Sequence, residues 1–103
     1  MDRKHLIIDF EIQPLLSTTL GEKAVSVPVR QPGGQVTVLE AVRAFESCYG
    51  GRKLSILDGD NVRPGMMVML RDASGSLHRI AAPADQPLRT GEKVVLRTLM
   101  AGG

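Results

Sequence analysis

From Leu6 to Ile12 the chain alternates after its first two residues, with Ile8, Phe10 and Ile12 on one side and Asp9 and Glu11 on the other, the period of a strand with one face buried. Pro14 to Lys23, rich in turn formers, predicts a connection. Ala24 to Arg30 then alternates again through Val25, Val27 and Val29, so the two segments predict a β-hairpin. Pro28 lacks a backbone donor and places that second strand at an edge, with this position facing solvent.

Pro32-Gly33-Gly34 breaks the pattern, and Thr37-Val38-Leu39-Glu40 has the form of a capping box, in which threonine and glutamate satisfy each other's orphan amides. A helix is expected from there. Its apolar stripe Val38, Ala41, Val42, Phe45, Cys48 and Tyr49 follows the spacing of one helix face, and Gly50-Gly51 is its expected stop. Asp58-Gly59-Asp60-Asn61 and Pro64-Gly65 punctuate a loop before the apolar run Met66 to Leu70, a third strand bounded by Arg71-Asp72. Ser74-Gly75 predicts a hairpin into a short edge strand, Leu77 to Ile80. A loop bearing Pro83 and Pro87 follows, and Lys93 to Leu99 forms the last strand. Hairpin, helix, strand, short strand and last strand place the chain in the α+β class, one main helix against a mixed sheet of four or five strands. Residues 1–99 are expected to form one domain, and 100–103 a flexible tail.

Composition narrows the function. The 103 residues are 43% hydrophobic and 23% charged, enough for one core and with no low-complexity tract. Thirteen basic residues against eleven acidic ones give a net charge of only +2. The basic residues are scattered, and Phe10, Phe45 and Tyr49 are the only aromatics, so neither the charge footprint nor the stacking platforms of a nucleic-acid binder are present. There is no apolar run of membrane-spanning length and no signal-peptide pattern after Met1, so a cytoplasmic location without membrane contact is expected.

Candidate chemistry inside the domain is sparse. Cys48 cannot form an internal disulfide and, as part of the helix stripe, reads as a packed core cysteine rather than a reactive thiol. His5 and His78 have no ligand partners at metal spacing, and Asp58-Gly59-Asp60-Asn61 lacks the glutamate that closes a calcium loop. No metal, no bound cofactor and no catalytic set is predicted. Met67 and Met69 fall on the outer face of their strand as a candidate docking patch, while Met66 is expected to fill the core. Lys4, Lys23, Lys53 and Lys93 read as ordinary surface lysines.

The informative feature is Leu96-Arg97-Thr98-Leu99-Met100-Ala101-Gly102-Gly103, a strand running out into two glycines. Without Cβ atoms such residues lie extended in a narrow slot and present an unhindered carboxylate. Beyond Leu99 the tail spans roughly 13 Å when extended.

Asp60-Asn61-Val62-Arg63-Pro64-Gly65 with the strand Met66 to Leu70, together with the ending Gly91 to Gly103, resembles the ubiquitin-related modifier family and the molybdopterin-synthase and thiazole sulfur carriers. The resemblance covers roughly residues 57 to 103. The segment from Asp72 to Leu88 is longer than in the family, and Ala101 is one extra residue before the glycines. The resemblance implies a ubiquitin-like β-grasp fold and a protein that is not itself an enzyme. It implies that the Gly103 carboxylate, with Gly102 as its unhindered neighbour, is adenylated with ATP by an E1-like activating enzyme. Two fates remain open: conversion to a thiocarboxylate that donates sulfur, with a sulfurtransferase as partner, or an isopeptide bond to target-protein lysines, with an E2-like conjugating enzyme and an isopeptidase. Docking to the activating partner is expected through Val95, Arg97, Leu99, Met100, Met67 and Met69. The alternative is a noncovalent β-grasp interaction module whose sheet face around Val95 and Arg97 binds a partner and whose Gly-Gly tail is incidental.

Overall fold

Alternation and capping become structure where they were expected in the computed structural model, which describes residues 5–13, 23–30, 35–50 and 56–98. Strand β1 (His5–Ile12) pairs antiparallel with β2 (Ala24–Arg30), Ile8 opposite Val27 and Phe10 opposite Val25. Ile8, Phe10, Ile12, Val27 and Val29 are buried, and Asp9 and Ser26 stand on the opposite face, where the serine hydroxyl donates to Asp9 at 2.7 Å. β2 is an edge strand, as Pro28 required. Ile12 N–H donates to Lys23 C=O at 2.8 Å, so the odd-numbered β2 residues pair inward and Pro28 occupies a position whose missing N–H would have pointed to solvent.

A two-residue strand, β3 (Val36–Thr37), leads into helix α1 (Val38–Phe45). The capping box is complete: Thr37 Oγ1 accepts from Glu40 N–H at 3.2 Å, and Glu40 Oε1 accepts from Thr37 N–H at 2.9 Å. Val38, Ala41, Val42 and Phe45 are fully buried against the sheet, and the Phe45 ring stacks on Phe10 at 4.8 Å.

The predicted stripe stops one turn early. Residues Glu46–Gly50 form a wider π-helical turn, and its i→i+5 bonding rotates later positions off the 3.6-residue stripe. Cys48 is therefore exposed instead of packed in the core, and Tyr49 keeps its ring 5.4 Å from Phe45 while 40% exposed. Glu46 acquires a role no local pattern announces, its Oε2 accepting from Ile56 N–H at 2.6 Å and Leu57 N–H at 3.1 Å.

The loop after the helix contains a miniature hairpin, β4 (Leu57–Asp58) and β5 (Asn61–Val62), with Gly59 at its tip, where the Arg43 guanidinium pairs with Asp60. β6 (Met66–Arg71) and β7 (Leu77–Arg79) follow as expected. A 3-10 turn (Pro83–Asp85) then leads to β8 (Pro87–Leu88), which pairs with β3 and seats the helix start: Val38 N–H donates to Gln86 C=O at 2.8 Å. β9 (Lys93–Thr98) completes a mixed five-stranded sheet in the order β2-β1-β9-β6-β7, parallel at β1–β9 and antiparallel elsewhere. Val68, Leu70, Val94 and Leu96 close the core under the helix. Outside the described residues lie positions 14–22 of the predicted turn, Pro32-Gly33-Gly34, Gly51, Lys4, Lys53 and everything after Thr98. No helix among the described residues is long and apolar enough to cross a membrane.

Candidate functional site

β9 is the middle strand of the sheet, and its end is the base from which the glycine tail continues. Hydrogen bonding holds the strand from both sides as far as Leu96 and from β6 alone beyond it: β1 runs parallel along one flank, extended by Gln13 N–H donating to Leu96 C=O at 3.0 Å, and β6 runs antiparallel along the other, with Met66 opposite Thr98 and Met67 opposite Arg97. Burial of Val94, Val95 and Leu96 adds apolar contact on both faces. Thr98, opposite Met66, thus ends the strand beside the Val62-Arg63-Pro64-Gly65 turn that opens β6. Gly65 has a φ of 92°, a left-handed conformation that side-chain-bearing residues rarely adopt.

The face of the sheet away from the helix carries four of the residues expected to dock a partner, Val95, Arg97, Met67 and Met69. Arg97 is exposed and Met67 half-buried. Val95 has no exposed surface and Met69 retains only 8%. The cause is a bridge over the central strand: Arg71 on β6 reaches Glu11 on β1, Nε to Oε1 at 3.0 Å and Nη2 to Oε2 at 3.0 Å, while Val95 lies between Glu11 and Met69 in the ladder. Gln13 donates to Glu11 Oε2 and Arg71 Nη1 donates to Gly75 C=O, both at 3.0 Å, so the bridge is held at both ends. The hydrogen bonds to Glu11 and then its charge raise the Arg71 pKa above its ordinary value against the opposing effect of desolvation. On this face Arg97 and Met67 offer surface, and Val95 is a buried spacer. Leu99, Met100, Gly102 and Gly103 lie outside the described residues.

Beside the start of β6 lies an open groove of about 390 Å³, bordered by Arg63, Pro64, Met66, Met67, Arg79 and Ile80 among others. Arg63, Arg79 and Arg97 are exposed and, among the described residues, form no ion pair. Arg79 and Leu77 were not marked by the sequence reading as site residues, although their odd-numbered spacing on an edge strand puts both on the outer face. Among the described residues no three His, Cys, Asp or Glu side chains gather as a metal site.

No protein-family model and no curated protein matches the sequence. Solved structures do. The CysO chain in the crystal structure of the Amycolatopsis orientalis BexX/CysO complex superposes with a TM-score of 0.64 at 22% identity, covering 93% of this chain and 99% of that one. The solution structure of the Haloferax volcanii HVO 2177 protein superposes with a TM-score of 0.71 at 20% identity, covering 100% of this chain and 92% of the other. These likenesses, with the mixed five-stranded sheet and single main helix found here, establish that this chain has the β-grasp fold of the ubiquitin-like proteins.

Proposed function

We propose that the chain is a ubiquitin-like modifier or sulfur carrier that acts through Gly102-Gly103, its chemistry supplied by a separate E1-like enzyme. The observation that carries this reading is the placement of β9: the strand preceding the glycines is the central, doubly paired strand of the sheet, so the domain acts as a rigid handle for the segment that follows. The likeness to a chain crystallised in the BexX/CysO complex supports a partner-dependent role.

In the proposed reaction the Gly103 carboxylate attacks the α-phosphate of ATP in the partner's site, giving an acyl adenylate and pyrophosphate. Hydrosulfide or a cysteine thiol then displaces AMP. The first route leads to a thiocarboxylate; the second leads to a thioester that a target lysine amine opens to an isopeptide. Docking through Arg97 and Met67 would hold the handle while the tail enters the site, and the absence of Cβ atoms at the last two positions lets the carboxylate approach a phosphate closely.

Intact-mass analysis of the protein from its native host, with immunoblotting for larger species, tests the proposal. A mass gain equal to one oxygen replaced by sulfur supports sulfur carriage, and adducts lost on deletion of Gly103 support conjugation. An unmodified mass with no adducts, in the presence of the cognate activating enzyme, refutes both and leaves the noncovalent module, whose partner binding survives deletion of Gly102 and Gly103.

A further inference from the structure

We infer that the β7 edge of the sheet is a docking strip for an extended acidic segment of a partner protein, added as a sixth strand. The two edges of the sheet differ. At β2 the outward-facing positions include Pro28, which has no N–H to offer an added strand. At β7, Ile80 N–H donates to Val68 C=O at 3.0 Å and Asp72 N–H donates to Ser76 C=O at 2.9 Å, so the even-numbered positions pair inward. Leu77 and Arg79 therefore direct their N–H and C=O groups away from the sheet, with no proline between them.

The edge is also held in shape before any partner arrives. Asp72 accepts from Ser74 N–H at 2.9 Å and Ser76 N–H at 3.0 Å through Oδ1, and its Oδ2 lies 2.7 Å from His78 Nε2, which locks the hairpin that presents β7. Preorganisation of this kind lowers the ordering cost of strand addition.

Charge selects the occupant. Leu77, 45% exposed, and Arg79 share the outer face, and Arg79 is directly opposite Met69 in the ladder. From the ladder spacing Arg79 and Arg97 lie roughly 12 Å apart, two strands and two residues removed. Arg63 borders the same groove as Arg79. Glu11, the outer-face carboxylate in the same cross-strand row as Arg79, is already taken by Arg71, and Asp72 and Glu92, which line a pocket with Arg79, are engaged by Ser74, Ser76 and His78 and by Arg89 N–H. An incoming strand that alternates carboxylates with apolar side chains would pair its backbone with Leu77 and Arg79 and set its charges against these arginines. A second copy of this chain would set only Leu77 or Arg79 of its own β7 against Arg79 and supply no carboxylate from that strand, which disfavours an edge-to-edge dimer.

The inference is independent of the glycine tail. It is tested by titrating the full chain, followed by ¹⁵N–¹H NMR, with a blocked seven-residue peptide alternating glutamate and valine, and with the lysine–valine peptide as control. Saturable shifts centred on Leu77 to Ile80, with slowed exchange of the Leu77 and Arg79 amides, are expected for the acidic peptide. Arg79→Glu, checked for an unchanged fold by its remaining spectrum, should weaken binding by about tenfold or more. N-methylating the peptide amides that face β7 should abolish binding while leaving side chains intact, and deletion of Gly102-Gly103 should leave binding unchanged. Equal binding of the lysine peptide, shifts centred elsewhere, no saturable binding at millimolar peptide, or a concentration-dependent dimer through β7 would overturn the inference.

Discussion

Replacing Phe45 tests how the helix holds the sheet that carries the tail. The ring has no exposed surface, stacks on Phe10 of β1 at 4.8 Å and 24°, and meets Tyr49 at 5.4 Å. Phe45→Ala removes the transfer free energy of the ring and leaves a cavity between helix and sheet, a loss of about 4 kcal/mol for a fully buried phenylalanine. Phe45→Leu keeps most of the volume and forfeits the ring-to-ring contacts, of which only the Phe10 stack is fully desolvated, so its cost should be about 1 to 2 kcal/mol. Against a total stability of roughly 5 to 10 kcal/mol for a domain of this size, the alanine variant should retain only a marginal fold and melt roughly 15 to 30 °C lower. Urea unfolding followed by far-ultraviolet circular dichroism measures both variants, and Tyr49, the single tyrosine in a chain without tryptophan, reports locally by fluorescence. A loss under about 1 kcal/mol for Phe45→Ala would refute the assignment of this ring to the core, since surface replacements lie in that range. Equal losses for alanine and leucine would refute the division between cavity and stacking.

Further outcomes follow from particular contacts. Glu46→Ala strips Ile56 N–H of its carboxylate acceptor and should cost about 1 to 3 kcal/mol in chemical denaturation, with the loss reflected in faster amide exchange at Ile56. At Gly65 an added Cβ meets no atom within 4 Å, so Gly65→Ala carries only the penalty of the positive φ, about 1 to 2 kcal/mol, and its urea midpoint should fall accordingly. The hydrogen bonds to Asp72 from the Ser74 hydroxyl, from His78 and from the Ser76 amide hold its carboxyl far below the ordinary 3.8, so the folded state binds its proton less readily than the unfolded chain. That contribution is complete above about pH 5 and is lost as pH falls from there toward the folded value, so the stability gap between wild type and Asp72→Asn should shrink between about pH 5 and pH 2 in urea titrations; a constant gap would refute it.

Much of the fold was legible because its signals are local. The period-two alternation marked β1, β2 and β9; Thr37 and Glu40, three residues apart, marked the helix start; Pro28 marked its strand as an edge. Cys48 was misplaced because the stripe was extended at 3.6 residues per turn through a segment where the backbone widens into a π turn, which side-chain periodicity does not register. The β4–β5 hairpin lay in a predicted loop because two-residue strands are too short to show a period. Among the docking candidates, Arg97 and Met67 were located on the outer face by alternation, yet alternation could not tell that Val95, on the same face, has no surface to offer.

By itself the sequence determined the order and type of the main elements β1, β2, α1, β6, β7 and β9, the edge position of β2 and the glycine ending, since each rests on residues near one another in the chain. Tertiary structure alone decided that the strand before the glycines is central, that Arg71 crosses it to meet Glu11 sixty residues away and seals Val95, and that β7 keeps an open edge flanked by exposed arginines. Those outcomes depend on which strands become neighbours, and pairing between distant segments is set by burying one shared core, a quantity that no local window of residues contains.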